Sequence, residues 1–270
     1  MKCKLDIGSR KYNPPFVVHS DIFRTAHLVR KQMGVNRNLS QVFHAHVSYL
    51  ENCFGVGNLI FPTFNYDFPI TRVFDIEKTD SQVGSLTNYV RSLEGFSRTT
   101  TPIFSFAVDK ARAKTYSNTP FGKGSVYDDL YNEDGTIVLY GTGINSCNYL
   151  HYVESQFGPP RYRYDKFFNG TLIVNDECVE CEVLFHARPL GINWGYDWSE
   201  LERILIDAGA IISLECNMFA VKARDLSEIW GDRIRVNDLS ILSDECRFDV
   251  SRRLADLGRR FVLSDFEGIK

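Results

Sequence analysis

The sequence has no run of continuous apolar residues close to the roughly 18 that a membrane-crossing helix requires. Its opening, MKCKLDIGSRKYNPPFVV, lacks an apolar segment of signal-peptide length. No membrane span is expected. A basic excess is also missing: 31 Lys and Arg stand against 34 Asp and Glu, a net charge of -3, so a nucleic-acid partner is not expected. No hexapeptide period is present, which excludes a parallel β-helix. No linker rich in Pro, Gly or Ser divides the chain. A G-x-S-x-G elbow for a serine nucleophile is absent. Cys178 and Cys181 form a lone C-x-x-C with no second pair or paired histidines, while a zinc site needs about four ligands, so no metal is expected. The seven cysteines are odd in number and scattered, which reads as reduced thiols in a cytoplasmic protein.

What is present is ordinary globular composition, with 44% hydrophobic and 24% charged residues over 270 positions. FVVHS, NLIFPTF, SFAV and TIVLYGTG read as short buried strands. Between them, IFRTAHLVRKQMG, SQVFHAHVSYLENCFG and NYLHYVESQF carry helical spacing, the second with Ser40 as a candidate N-cap and Gly55 just past its end. Alternating strands and helices predict an α/β fold, a central mostly parallel sheet with helices on both faces. After about residue 160 the pattern changes to strand-rich RYRYDKFFNGTLIVNDECVECEVLFHARP, with a turn signal at Asn169-Gly170, and then to mixed helix and strand. The expected organisation is a catalytic α/β region over 1–160 and a C-terminal α+β subdomain over 161–270 that completes the cleft. The tail VSRRLADLGRRFVL reads as an amphipathic helix.

Ligands of open α/β sheets bind beyond the carboxyl ends of the strands. The polar ends HS (His19, Ser20), PTFNYD (from Pro62) and GTGINS (from Gly141) all fall there. His151 and Glu154 in HYVE are three apart, which puts them on one face of a helix. A carboxylate beside an imidazole fixes its tautomer and raises its basicity, as a general base requires. The same spacing also suits a structural His–acid pair, and spacing alone does not separate the two. Thr63, Asn65, Tyr66 and Asp67 place donors and a carboxylate on a turn after a strand, where ordinary turn chemistry would also place them. GTG at 141–143 lacks the remaining residues of a phosphate loop. His44 and His46, two apart on a helix, face different ways and do not make a ligand pair.

In collinear order, the HS element, PTFNYDF, VGSLTNYVRS, SRTTTPIFSFAV, TPFGKGSVYDDLY and LYGTGINSCNYLHYVE resemble the aminoglycoside 3-N-acetyltransferase family over roughly residues 15–160. The resemblance implies an α/β/α sandwich with acetyl-CoA, or another acyl-CoA, as co-substrate in a cleft. It also implies direct transfer to an amine without an acyl-enzyme. By position, His151 is then the catalytic base, with Glu154 as its partner or as a contact to the substrate amine. Thr63, Asn65, Tyr66 and Asp67 lie beside the thioester and the amine, and His19 and Ser20 lie near the pantetheine arm. Ser97, Arg98 and Thr99 face the coenzyme. An ammonium with a lysine-like pKa of ~10.4 must lose a proton before it can attack, which is the task of such a base. The tetrahedral oxyanion needs donors, either backbone N–H groups or the Thr63 hydroxyl.

The departures bear on the acceptor. Thr101-Pro102 stands where resistance enzymes carry His-Pro, Phe104 replaces a second His, and Cys147-Asn148 replaces Asn-Thr. These features resemble relatives that acylate amino sugars, nucleotide- or lipid-linked, in surface-glycan (O-antigen) biosynthesis. Aminoglycoside modification is the alternative, and a non-catalytic CoA- or sugar-binding relative is a third reading. A polycationic antibiotic would call for carboxylates, for which Asp67, Asp75 and Glu154 are the candidates. The acyl group and the oligomeric state stay open at this level, and a homo-oligomer is compatible with the composition.

Overall fold

A computed structural model describes residues 12–30, 38–214 and 217–268. Ten strands form two sheets: β1 (Asn13–Ser20), β2 (Leu59–Pro62), β3 (Val73–Asp75), β4 (Phe96–Arg98), β5 (Phe106–Asp109), β6 (Gly135–Tyr140), β7 (Tyr164–Val174), β8 (Glu177–Ala187), β9 (Ile212–Leu214) and β10 (Met218–Lys222). The larger sheet has the order β4-β5-β2-β1-β6-β10-β9, and the smaller β3-β7-β8. At the centre of the larger sheet β1 runs parallel to both β2 and β6, with Val17 opposite Ile60 and Ile137. Its flanks β5, β4, β10 and β9 are antiparallel, so the sheet expected to be mostly parallel is parallel at its centre and mixed overall.

The central strands are continuous apolar runs because both of their faces are covered. Successive residues of β1 and β6 enter opposite cores: Val17, Ile137 and Leu139 pack on one side, Phe16, Val18 and Val138 on the other. Val47, Leu50 and Phe54 of the helix Leu39–Phe54 cover the second side. The first is covered by Leu130, Leu150 and Trp230 from three further helices. This is the α/β/α sandwich that the alternating pattern predicts. Residues 161–270 supply β9 and β10 of this sheet as well as the hairpin β7–β8.

Two local expectations are corrected. Asn38, not Ser40, caps the helix Leu39–Phe54: its backbone is extended and its side chain accepts from Gln41 N at 3.0 Å. Asn169-Gly170 is not a turn but lies inside β7, and the hairpin turns at Asn175-Asp176, both at positive φ (50° and 62°). Gly170 serves another purpose. A Cβ there would lie 2.4 Å from Arg72 O and 2.8 Å from Phe68 Cζ, because the chain leading into β3 crosses this point. The helix expected to run on to Gly34 is described as Ile22–Arg30, and the rest of that stretch, with Cys3 and Cys216, lies outside the described residues. The five described cysteines are free thiols. Among the described residues no helix is long and apolar enough to cross a membrane, and no cluster of His, Cys, Asp or Glu could hold a metal.

Candidate active site

Strands β1, β2 and β6 all end on one edge of the sheet, and the chain leaves each in a polar loop. The turn after β6 is tight: Gly141 has φ +76°, and a Cβ on it would meet Asp21 O at 2.4 Å. That close approach of two backbones explains the first glycine of GTG without any phosphate. Beyond the strand ends lies a cavity of about 160 Å³ lined by His19, Ser20, Pro62, Thr142, Ser146 and Asn148. Burial lowers the His19 pKa to about 4, and its Nε2 has no hydrogen-bond partner among the described residues. A neutral imidazole therefore sits in this cavity at neutral pH.

A second cavity, of about 380 Å³, is lined by Tyr66, Phe104, Asn148, His151, Arg163, Phe185, Arg188, Trp194 and Tyr196, among others. Asn148 lines both cavities. It immediately precedes the helix Tyr149–Gln156, whose Tyr149, Leu150 and Val153 anchor it in the core. That anchoring leaves His151 facing the second cavity, with the Phe121 ring edge-on at 5.0 Å between centroids.

His151 and Glu154 are brought together as the spacing predicts, with Nδ1 3.0 Å from Glu154 Oε2. Glu154 is 1% exposed. Burial alone would raise its pKa, but the Arg163 charge and the hydrogen bonds from His151 and Tyr162 hold it at about 2. Tyr162 and Tyr196 donate to Glu154 Oε1 at 2.6 and 3.0 Å. Arg163 Nε forms an ion pair with Oε2 at 3.0 Å without hydrogen-bond alignment, and Nη1 donates to His186 O at 2.8 Å. An ionised carboxylate only accepts, so Nδ1 carries the proton towards Glu154 and Nε2 keeps its lone pair. Arg163 Nη2, 3.1 Å from Nδ1, donates instead to the Tyr196 hydroxyl. The His151 pKa lies below its ordinary value, chiefly from burial: the Glu154 hydrogen bond pulls the other way, and burial together with the smaller effects of the Arg163 and Arg188 charges outweighs it. The outcome is an uncharged imidazole, fixed in one tautomer, that can take a proton at neutral pH.

The other expected site residues separate. Tyr66 reaches the His151 cavity, half-exposed and edge-on to Phe104 at 6.1 Å between centroids. Asn65 and Asp67 do not reach it. Asn65 Oδ1 accepts from Asp67 N at 2.9 Å, and Asp67 Oδ2 accepts from Gln82 Nε2 at 2.9 Å, which locks the turn beneath Tyr66. Thr63 lines neither cavity: it is fully buried, with its hydroxyl 3.1 Å from Ser105 Oγ, because strand alternation turns it away from the face that Pro62 and Phe64 present. The Thr63 hydroxyl, expected as an oxyanion donor, is thus engaged with Ser105. Ser97, Arg98 and Thr99 also line neither cavity. Ser97 sits in β4 opposite Val108, and Thr99 Oγ1 accepts from Phe106 N at 2.9 Å. Arg98 donates to Thr63 O at 2.7 Å and Ser105 Oγ at 3.0 Å, and lies 4.7 Å from the Phe74 ring centroid. These three hold the edge of the sheet together. The carboxylates expected for a polycation are occupied as well: Asp75 accepts from the Glu77 and Lys78 backbone N–H groups, and Glu154 is neutralised by Arg163.

Arg163, Tyr162, Tyr196 and Arg188 did not emerge from the sequence. The only trace there was the RYRY run just after HYVE, which reads equally as alternation in a strand.

A model of the aminoglycoside 3-N-acetyltransferase family matches residues 22–216. Among solved structures, the chain is similar to the aminoglycoside acetyltransferase AAC(3)-IVa apoenzyme, with a TM-score of 0.65 at 17% identity, covering 91% of this chain and 92% of that one. It is also similar to the AAC-IIIb binary with CoASH (TM-score 0.66, 13% identity, 84% and 92% covered). The YokD protein from Bacillus subtilis shows the same fold (TM-score 0.64, 15% identity, 85% and 90% covered). No curated protein sequence matches the chain. The His–Glu pair at the carboxyl edge of the sheet, the sandwich that carries it and a family match over more than half of the sequence agree, and the chain belongs to the aminoglycoside 3-N-acetyltransferase family.

Proposed function

We propose that this N-acetyltransferase moves an acetyl or related acyl group from CoA to the amino group of an amino sugar, with His151 as general base. The observation that carries the reading is the junction at Asn148. One side holds the narrow cavity of His19 and Ser20, suited to a pantetheine arm, and the other holds His151 above a buried carboxylate. A thioester at the end of that arm and an amine in the wider cavity would meet at this residue.

The amine nitrogen attacks the thioester carbonyl carbon while His151 Nε2 takes its proton. The C–S bond then breaks, and the imidazolium returns the proton to the leaving thiolate. Glu154 stabilises the transient imidazolium and holds the ring in place, while Arg163 keeps Glu154 ionised. The Asn148 amide has no hydrogen bond to a described side chain and lines both cavities, so it takes the oxyanion role in this reading.

The preferred acceptors are nucleotide- or lipid-linked amino sugars of glycan biosynthesis, since aromatic side chains including Phe104 stand in the cavity. The second reading, an aminoglycoside antibiotic as acceptor, is favoured by the names of the structural relatives. A complete His151–Glu154–Arg163 network speaks against a non-catalytic relative. Release of CoA thiol from acetyl-CoA, followed with a panel of amino sugars and kanamycin-type amines, tests the reading. An enzyme that binds CoA saturably and releases no thiol with any of them would refute it.

A further inference from the structure

The charge of the acceptor cavity is opposite to what a polycation needs. Among the described residues no carboxylate lines it, whereas Arg163 and Arg188 do. Arg163 is compensated by Glu154 behind it. Arg188 is different: it follows β8 directly, is exposed, and forms no ion pair or hydrogen bond with a described residue. The nearby carboxylates are committed elsewhere. Asp165 is held by His186 at 2.7 Å and Arg260 at 2.7 Å, and Asp67 by Gln82 at 2.9 Å. Among the described residues Arg188 is thus the uncompensated charge of the cavity, which Tyr66 and Trp194 also line with rings that offer an apolar platform to a sugar face.

We propose that the acceptor is an amino sugar carrying a phosphate ester, and that Arg188 binds the phosphate while the amine faces His151. A guanidinium pairs with phosphate oxygens through two parallel N–H donors, which adds direction to charge. Such an acceptor places its anion on Arg188 and its amine near a neutral base. A polycation would bring positive charges against two arginines with no carboxylate to meet them. The cavity on the far side of Asn148 takes the CoA arm, so Arg188 acts on the acceptor. This inference rests on the acyltransferase reading above.

The test compares D-glucosamine, glucosamine 1-phosphate, UDP-glucosamine, a short-chain polyprenyl diphosphate glucosamine and kanamycin as acceptors, with wild type and Arg188→Gln, by thiol release from saturating acetyl-CoA. Wild type should prefer a phosphorylated sugar over D-glucosamine in kcat/KM. In Arg188→Gln that preference should fall about tenfold or more, mostly through KM, as expected for loss of a charge-assisted pair, and Arg188→Lys should restore part of it. Which phosphorylated sugar wins identifies the free, nucleotide or lipid source. Calorimetric titration with UDP in the presence of saturating CoA adds a readout independent of turnover: wild type should bind and Arg188→Gln should not. Kanamycin preferred over every phosphorylated sugar, an equal preference in both proteins, or a rise in KM for acetyl-CoA alone would overturn the phosphate assignment while leaving the acyltransferase intact. No thiol release with any amine would sink both.

Discussion

Replacing Glu154 by Gln keeps the shape of the side chain and removes its charge at the centre of the site. The carboxylate is 1% exposed and meets three donors, His151, Tyr162 and Tyr196, and the charge of Arg163. Its pKa of about 2 against an ordinary 4.5 corresponds to a stabilisation of about 3 kcal/mol by the ionised form. Because the folded value is the lower one, this stabilisation is complete above about pH 4.5 and is lost as the pH falls through about 2. The Gln variant loses it at every pH and leaves Arg163 buried without its counter-charge, a change that typically costs about 3–5 kcal/mol. Thermal melting at pH 7 should drop by roughly 6–12 °C. Activity should fall as well. The amide can present an NH2 to Nδ1, which would move the imidazole proton to Nε2 and remove the lone pair, so the acyl-transfer rate should drop about 100-fold or more. The double variant Glu154→Gln/Arg163→Met removes both charges and should melt above the single variant while remaining slow. A Glu154→Gln enzyme that melts with wild type, or a double variant less stable than the single one, would refute the charge argument.

His151→Ala should reduce thiol release about 100-fold near pH 7, with the deficit shrinking at high pH where the amine is already free; a near-wild-type rate at neutral pH would remove the base assignment. With the His151 pKa depressed, the acid limb of the wild-type rate profile should fall below pH 6.5, and a limb above that value would contradict the burial of the ring. His19 and His46 both sit at about 4 through burial, so the unfolded chain takes up protons first as the pH drops. Each should cost about 2 kcal/mol of stability between pH 7 and 5 in urea melts; His46→Gln should remove about half of that loss, and a flat profile would refute the account. Gly170→Ala should destabilise by about 1–3 kcal/mol in the same assay, since the backbone oxygen of Arg72 cannot yield to a Cβ; a variant as stable as wild type would show that β3 shifts freely.

The central strands were legible because burial on both faces leaves an apolar run, and the His151–Glu154 pair because helical spacing puts both on one face. The antiparallel flanks were not, since a short apolar run such as SFAV does not record its direction. Asn169-Gly170 misled because a glycine needed for close backbone approach looks the same in sequence as one needed for a turn. The segment of Thr63 is legible, but the contact of its hydroxyl with Ser105, 42 positions away, is not. Arg163 and Tyr196 escaped because their importance lies in meeting Glu154 across 9 and 42 positions of chain, and no local pattern encodes that meeting. Their discovery required the fold.

The strand order has a consequence for synthesis of the chain. β6, which delivers the His151 loop, stays a sheet edge until β10 pairs along it with Met218 opposite Tyr140. Tyr196 must also arrive before Glu154 gains its last donor. A nascent chain that has emerged only to residue 160 therefore carries the His151–Glu154 pair yet lacks a finished base. Until some sixty more residues leave the ribosome, it exposes the edge of β6 to other chains, as unpaired strands do. The interval between motif and activity is thus built into the order of the strands.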